Sequence, residues 1–327
     1  MKKWIAALCC ALLLAVPFAG CAGAAQSADG GRLQIVATIW PEYEWLRAIL
    51  GERADNVELT LLLDKGVDMH SYQPTVDDLV RVSSCDLLVC VGGSSDVWVE
   101  DAVREAKNPD IAVVRLLEAL GDDVREEAHL EGMAEERGHH HDEDGGEHEH
   151  DAELDEHVWL SLRFAARLCD TLADALARLD PDYAEVYQAN AAAYVERLDA
   201  LDAAYTDTVS SAARDTLLFA DRYPFRYLAD DYGLTVYAAF PGCSAETGAS
   251  FETVAFLAGK MDELSLPCAL ILEGSDGRLA GTVIQSTKAQ DQRILTLDSM
   301  QSETLSDDED YLSVMNRNLT VLREALN

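Results

Sequence analysis

Eight short apolar runs, each followed by a stretch with helical spacing, constrain this chain more than any other feature. Four of them, "LQIVAT", "VELTLLL", "DLLVCVG" and "IAVVRL", fall in the first part of the chain; "TLLFAD", "LTVYAAFP", "CALILEG" and "RILTLD" fall in the last. Between them lie stretches such as "WPEYEWLRAIL", "TVDDLVRVSS" and "FETVAFLAGKMDEL". Alternation of this kind is the signature of βαβ units. Runs that are apolar at nearly every position suit strands buried on both faces, which is how parallel sheets are built. The expected fold is α/β, with two open parallel-sheet lobes. No fixed-period repeat of the solenoid kind is present.

A long helical stretch from Leu160 to Ala213 separates the two sets of runs, broken only at Asp180-Pro181-Asp182. There Asp180 can cap and Pro181 can open a second helix. Tyr183, Val186, Tyr187, Ala191, Tyr194, Leu198 and Leu201 keep three- and four-residue spacing, so that helix carries one buried stripe and can bridge the lobes. Gly121 to Glu156 breaks the pattern, dense in Asp and Glu, with seven of the eight His between His129 and His157. The expected organisation is an N-terminal lobe over 32–180 with a His- and acid-rich loop at 121–156, a linking helix over 181–213 and a C-terminal lobe over 214–327.

The N-terminus reads as an export signal over 1–20: Met1-Lys2-Lys3, an apolar stretch from Trp4 to Phe18, then Ala19-Gly20-Cys21. The apolar run is shorter than the roughly 20 residues of a spanning helix. Cys21 is the candidate acylation residue, although Phe18 stands where lipoproteins usually carry an aliphatic side chain, and 21–31 reads as a flexible tether. Beyond Cys9, Cys10 and Cys21 remain Cys85, Cys90, Cys169, Cys243 and Cys268, an odd number with no C-x-x-C pair. Buried free thiols are the expectation; a Cys243–Cys268 bridge is the alternative. A net charge of -35, from 25 Lys plus Arg against 60 Asp plus Glu, repels nucleic acid and favours cations.

Candidate metal ligands stand after apolar runs, where open α/β folds keep their sites. His70 follows a strand and a Gly66 turn, with Asp68 two residues earlier as a group that can orient the imidazole. His157 follows the acidic loop, with Trp159 beside it as a dry wall. Asp221 and Asp298 end strands of the second lobe, where Asp is also a common turn former. Two imidazoles facing carboxylates across a cleft make an N/O site for zinc, or a more expanded one for manganese.

Taken in order, "GVDMHSYQPTVDDL", "GGSSDVW", the His-rich loop, "DEHVWLS", "FRYLADDYGL" and "LTLDSM" resemble the metal-binding lipoproteins of zinc and manganese ABC importers, from about Arg32 to the C-terminus. The resemblance implies two α/β lobes joined by one long helix, a metal cleft between them, delivery to a membrane permease, and no turnover of substrate. It carries two ligand positions onto His70 and His157 and one onto Asp298. The remaining family ligand, a His or Glu, falls on Arg222, which binds no cation, so Asp221 is the substitute; Glu246 and Glu273 are the other candidates. Glu156 stands where the family has Pro. The loop residues His139, His140, His141, His148 and His150 become a zinc collector dispensable for tight binding.

Zinc is the expected ligand, with manganese the alternative. The expected protein is an extracytoplasmic, lipid-anchored monomer. A His-rich metal store or adhesin, and a zinc-dependent hydrolase, are the competing functions; H-E-x-x-H and G-x-S-x-G are both absent.

Overall fold

The computed structural model describes residues 32–134, 153–244, 248–305 and 309–327. Cys21, the five loop histidines and Glu246 lie outside them. Residues Leu33–Asn327 form one compact unit. All eight apolar runs are strands. In the first lobe β1 (Leu33–Ala37), β2 (Val57–Leu61), β3 (Leu87–Cys90) and β4 (Ala112–Arg115) pair in the order β2-β1-β3-β4. In the second, β5 (Thr216–Tyr223), β6 (Thr235–Pro241), β7 (Cys268–Leu272) and β8 (Arg293–Leu297) pair in the order β6-β5-β7-β8. Every pairing is parallel. Each sheet therefore has a switch point beside its first strand, and the loops leaving the carboxyl ends there are the natural place for a site.

The helices are α1 (Trp40–Leu50), α2 (Val76–Ser84), α3 (Val97–Arg104), α4 (Leu116–Leu120), α5 (Leu162–Leu179), α6 (Ala184–Ser210), α7 (Arg226–Tyr232), α8 (Phe251–Leu264), α9 (Arg278–Gln285) and α10 (Tyr311–Ala325). Their starts follow local chemistry. Pro41 sits in the first turn of α1, Ser161 caps α5 by accepting from Phe164 N–H, and Ser250 caps α8 by accepting from Thr253 N–H. Thr75 and Asp78 close a reciprocal capping box on α2.

Alternate side chains of β5 feed two cores. Leu217 and Phe219 join a large cluster that continues through Leu270 of β7, α5, α6 and α10 to Ile35 of β1 and Leu88 of β3. Leu218 and Ala220 face Val254, Leu257 and Met261 of α8 and Val283 of α9 in a second cluster. That period of two with both faces covered explains why the run reads as continuously apolar. Trp45, Trp159, Tyr187, Tyr205, Tyr311, Phe219 and Phe225 are fully buried; burying an aromatic or aliphatic side chain of this class contributes roughly 1.5–3 kcal/mol.

The stripe on α6 is real over Tyr187, Ala191, Tyr194, Leu198 and Leu201 but does not begin where the spacing predicts: Tyr183 and Val186 are 40% and 44% exposed. The chain leaves α5 through a tight turn at Pro181–Tyr183, so α6 starts at Ala184 and its first turn overhangs the core. Tyr183 instead lies under the Arg53 guanidinium, 4.3 Å from the ring centre, while Arg53 Nε sits 3.1 Å from Asp180 Oδ2.

The described ends of the His-rich segment are tied down. Glu126 bridges to Leu154, and Ala134 N–H donates to the Ala239 carbonyl of β6 at 2.9 Å. Among the described residues, no helix is long and apolar enough to cross a membrane.

Candidate metal centre

His70 lies in a short turn, Met69–Ser71, after the carboxyl end of β2, and His157 precedes the turn Val158–Leu160 that leads into α5. Sequence distance gives no hint of their meeting, yet His70 Nε2 stands 3.1 Å from His157 Nε2, with the ring centres 5.2 Å apart. His157 is wholly buried, and Trp159 packs its ring 5.2 Å from the imidazole centre on the other side, the wall expected from the sequence.

The two rings are oriented from behind. His157 Nδ1 lies 2.9 Å from Asp155 Oδ1, which also accepts the His157 backbone N–H at 3.0 Å. His70 Nδ1 lies 3.0 Å from Ser95 Oγ. Ser95 Oγ donates to Glu156 Oε2 at 2.6 Å, which leaves the hydroxyl lone pairs to accept from His70. Both Nδ1 atoms therefore carry the proton, and both Nε2 atoms present lone pairs. Burial, then the neighbouring His157, with Arg222 acting the same way and Asp68 opposing, hold the His70 pKa well below the ordinary imidazole value. The His70 ring is neutral. Two bare acceptors 3.1 Å apart repel; a cation between them converts the contact into two ligand bonds.

Glu156 has a specific seat. Its carboxylate also accepts from Ser95 N–H at 2.9 Å and Ser94 Oγ at 3.2 Å, and a Cβ on Gly93 would collide with it. The Glu156 carboxylate thus acts on His70 through Ser95. Asp68, expected to orient the imidazole, instead accepts the His70 backbone N–H at 3.0 Å through Oδ1, because its other oxygen is bound 2.6 Å away by Arg222 Nη2.

Among the described residues, the group that can hold a cation is His70, His157 and Cys243, with one ligand atom of each within 4.8 Å of the others. Cys243 follows the carboxyl end of β6 and was expected only as a buried thiol or half of a bridge. All five described cysteines are free, and Cys243 alone is not fully buried. Its signal in the sequence was "FPGCS", a cysteine just past a strand end in the position that flagged His70 and Asp298.

The structure does not bring Asp221, Asp298 or Glu273 into that group. Asp221 Oδ1 accepts from Arg222 N–H at 2.9 Å and Oδ2 from Leu272 N–H at 3.2 Å, so its carboxylate serves the β5–β7 junction. Asp298 Oδ1 accepts from Met300 N–H at 3.0 Å, and Oδ2 is bound by Arg317 at 2.8 Å. Glu273 accepts from Ser299 N–H and Oγ at 2.7 and 2.6 Å.

Two parallel-sheet lobes, a long connecting helix and an imidazole pair at the strand ends define a two-lobed α/β protein with a candidate metal centre. Residues 35–325 match the family described as zinc-uptake complex component A, periplasmic, and the chain belongs to that family. It is 32% identical to the zinc-binding lipoprotein AdcA of Streptococcus pneumoniae over 99% of its own length but only 61% of that protein's. It is 28% identical to the high-affinity zinc uptake system protein ZnuA of Bacillus subtilis over 99% of this chain and 98% of that one. The Zn(II)-bound ZnuA-like domain of the pneumococcal AdcA superimposes with a TM-score of 0.68 at 27% identity, covering 90% of this chain and 99% of that one.

Proposed function

We propose that the protein captures zinc outside the cytoplasm and hands it to the membrane permease of an ABC importer, binding the metal without transforming it. The observation that carries this reading is the pair of Nε2 lone pairs at 3.1 Å, each imposed by a hydrogen bond on the far side of its ring. Such a pair is a site prepared for a cation. His70 and His157 are the ligands proposed from the first lobe. Asp298 is a further ligand only if Arg317 releases it, and Asp221 only if it gives up two backbone N–H groups.

Zinc is favoured over manganese because imidazole suits zinc, whereas manganese prefers carboxylate and water. The zinc-binding and zinc-uptake names of AdcA and ZnuA point the same way. Tethering to the membrane's outer face through Cys21 agrees with the lipoprotein name of the AdcA relative, and a monomer is the proposed state. His139, His140, His141, His148 and His150 are proposed as an auxiliary collector, joined to the described body at Ala134 and Glu153.

The test is calorimetric titration of metal-free protein with zinc and manganese. Wild type is compared with His70→Ala plus His157→Ala and with a deletion of 135–152. One tight zinc site that survives the deletion and vanishes in the double variant is expected. Loss of all binding with the deletion would instead favour a His-rich metal store.

A further inference from the structure

We infer that Cys243 is a ligand to the transported metal, making the site a two-imidazole, one-thiolate site that excludes manganese. The inference rests on the zinc-capture reading and adds to it a residue from the second lobe.

Three observations place the thiol there. First, Cys243 shares with His70 and His157 a group of ligand atoms within 4.8 Å of one another. In a tetrahedral zinc site, ligand atoms stand about 3.3–3.6 Å apart, from Zn–N of about 2.0–2.1 Å and Zn–S of about 2.3 Å. The observed spacing needs only a small contraction, and the imidazole edge at 3.1 Å already matches.

Second, the backbone is shaped to bring Cys243 in. Gly242 lies against the first-lobe imidazole so closely that a Cβ there would come 3.0 Å from His157 Cε1 and 2.9 Å from the Tyr223 carbonyl. Any other residue would push the end of β6 off His157. The Cys243 N–H is held 2.6 Å from Glu127 Oε1, so the turn is also fixed from the first lobe.

Third, the neighbouring strand end offers no competing ligand. Tyr223 pairs with Pro241 and Arg222 with Phe240 in the β5–β6 ladder. Arg222, a permanent cation, is committed to Asp68. The second-lobe contact to the metal then comes from β6. A thiolate beside two imidazoles is soft enough to prefer Zn2+ and Co2+ and to reject Mn2+, which favours oxygen ligands. Binding forms the metal–sulfur bond and releases the thiol proton to solvent, with no change in oxidation state.

Cobalt(II) is the probe. Loaded wild type should show the near-ultraviolet thiolate-to-cobalt charge-transfer band together with the visible bands of a four-coordinate ion. Cys243→Ser should lose the near-ultraviolet band, keep a folded metal-free melting transition, and bind zinc at least about 100-fold more weakly. Stoichiometric cobalt binding that depends on His157 but gives no charge-transfer band in wild type would overturn the thiolate and leave zinc capture standing. A band that persists in Cys243→Ser would also overturn it. Cobalt binding unaffected by either His157→Ala or Cys243→Ser would remove the capture site itself. If Cys243→Ser fails to fold, the presence or absence of the band in wild type and in His157→Ala decides the matter.

Discussion

Arg222 Nη2 sits 2.6 Å from Asp68 Oδ2, so the position where the family resemblance would place a metal ligand instead carries a cation that ties the end of β5 to the His70 turn. Both partners are about a quarter exposed, and Asp68 Oδ1 holds the His70 N–H at the same time. The pair is one of the polar bonds joining a second-lobe strand to the turn that carries His70.

Removing it should loosen that join more than it alters the ligands. A partly exposed ion pair is worth on the order of 1 kcal/mol, or about fivefold in a rate. Arg222→Ala is expected to speed zinc loss to an excess of chelator about fivefold, measured by stopped flow, with far-ultraviolet circular dichroism unchanged. An unchanged release rate would show that the ion pair does not hold the lobes at this edge.

Asp155 makes a sharper prediction. It accepts both the backbone and the Nδ1 proton of His157 through one oxygen, which fixes the tautomer and the orientation of the ring. Asp155→Asn keeps an acceptor but removes the charge, and loss of such a partner typically costs 10–100-fold in metal affinity. Zinc titration should therefore show about a tenfold weaker site with the stoichiometry retained. Equal affinity in the variant would mean the carboxylate only braces the loop.

Much of this was open to reading in the chain, for physical reasons. Strands buried on both faces leave uninterrupted apolar runs, so every strand from "LQIVAT" to "RILTLD" showed itself. The α5–α6 break showed itself through Asp180-Pro181. His70 and His157 stood out because imidazole is scarce outside the acidic segment. What stayed hidden depended on tertiary geometry. That Ser95 and Glu156 orient His70, while Asp68 serves only its backbone, follows from the register of the loop after β3 against residues 155–157. That Cys243 joins the histidines depends on a glycine allowing close approach at the end of a different sheet. Cysteine is usually a small buried apolar residue, and a place just past a strand end, which Cys243 shares with His70 and Asp298, does not by itself show that the thiol faces a cleft.

Glu42 sets a pH dependence of the metal-free fold. It is wholly buried in the first turn of α1, where Oε2 accepts from Thr38 N–H at 2.9 Å and Ile39 N–H at 3.2 Å. Burial, then the nearby Asp96, push its pKa up from 4.5 to about 8, with those hydrogen bonds opposing. A carboxyl whose folded pKa is raised binds more protons folded than unfolded between those values. Its contribution is present in full below the unfolded pKa and is lost as pH rises through about 8. Metal-free wild type should lose stability to urea between pH 6 and pH 8.5, on the order of 1 kcal/mol per pH unit at most. Glu42→Gln should flatten that slope; an equally steep profile in the variant would assign the dependence to other groups.

The last prediction concerns the strap that holds the aromatic wall of the candidate metal site. Tyr311 OH, at the start of α10, donates to the Trp159 carbonyl at 2.6 Å, and Trp159 Nε1–H donates to the Ser299 carbonyl at 2.9 Å, all of it buried. These two bonds lock the turn after His157 to the second lobe's final helix and to the loop after β8. Tyr311→Phe keeps the ring, which packs edge-on 5.4 Å from Trp45, but leaves the Trp159 carbonyl without that donor. An unsatisfied buried acceptor costs about 1–3 kcal/mol, which for a chain of this size lowers the melting temperature by about 2–5 °C. Because Trp159 packs directly on His157, a second effect should accompany the first: zinc affinity falls in Tyr311→Phe by less than in Asp155→Asn, since the ring wall shifts while the hydrogen bond to Nδ1 remains. Calorimetry on the two variants side by side checks the order. A larger loss in Tyr311→Phe would mean that packing, rather than the carboxylate, positions the imidazole.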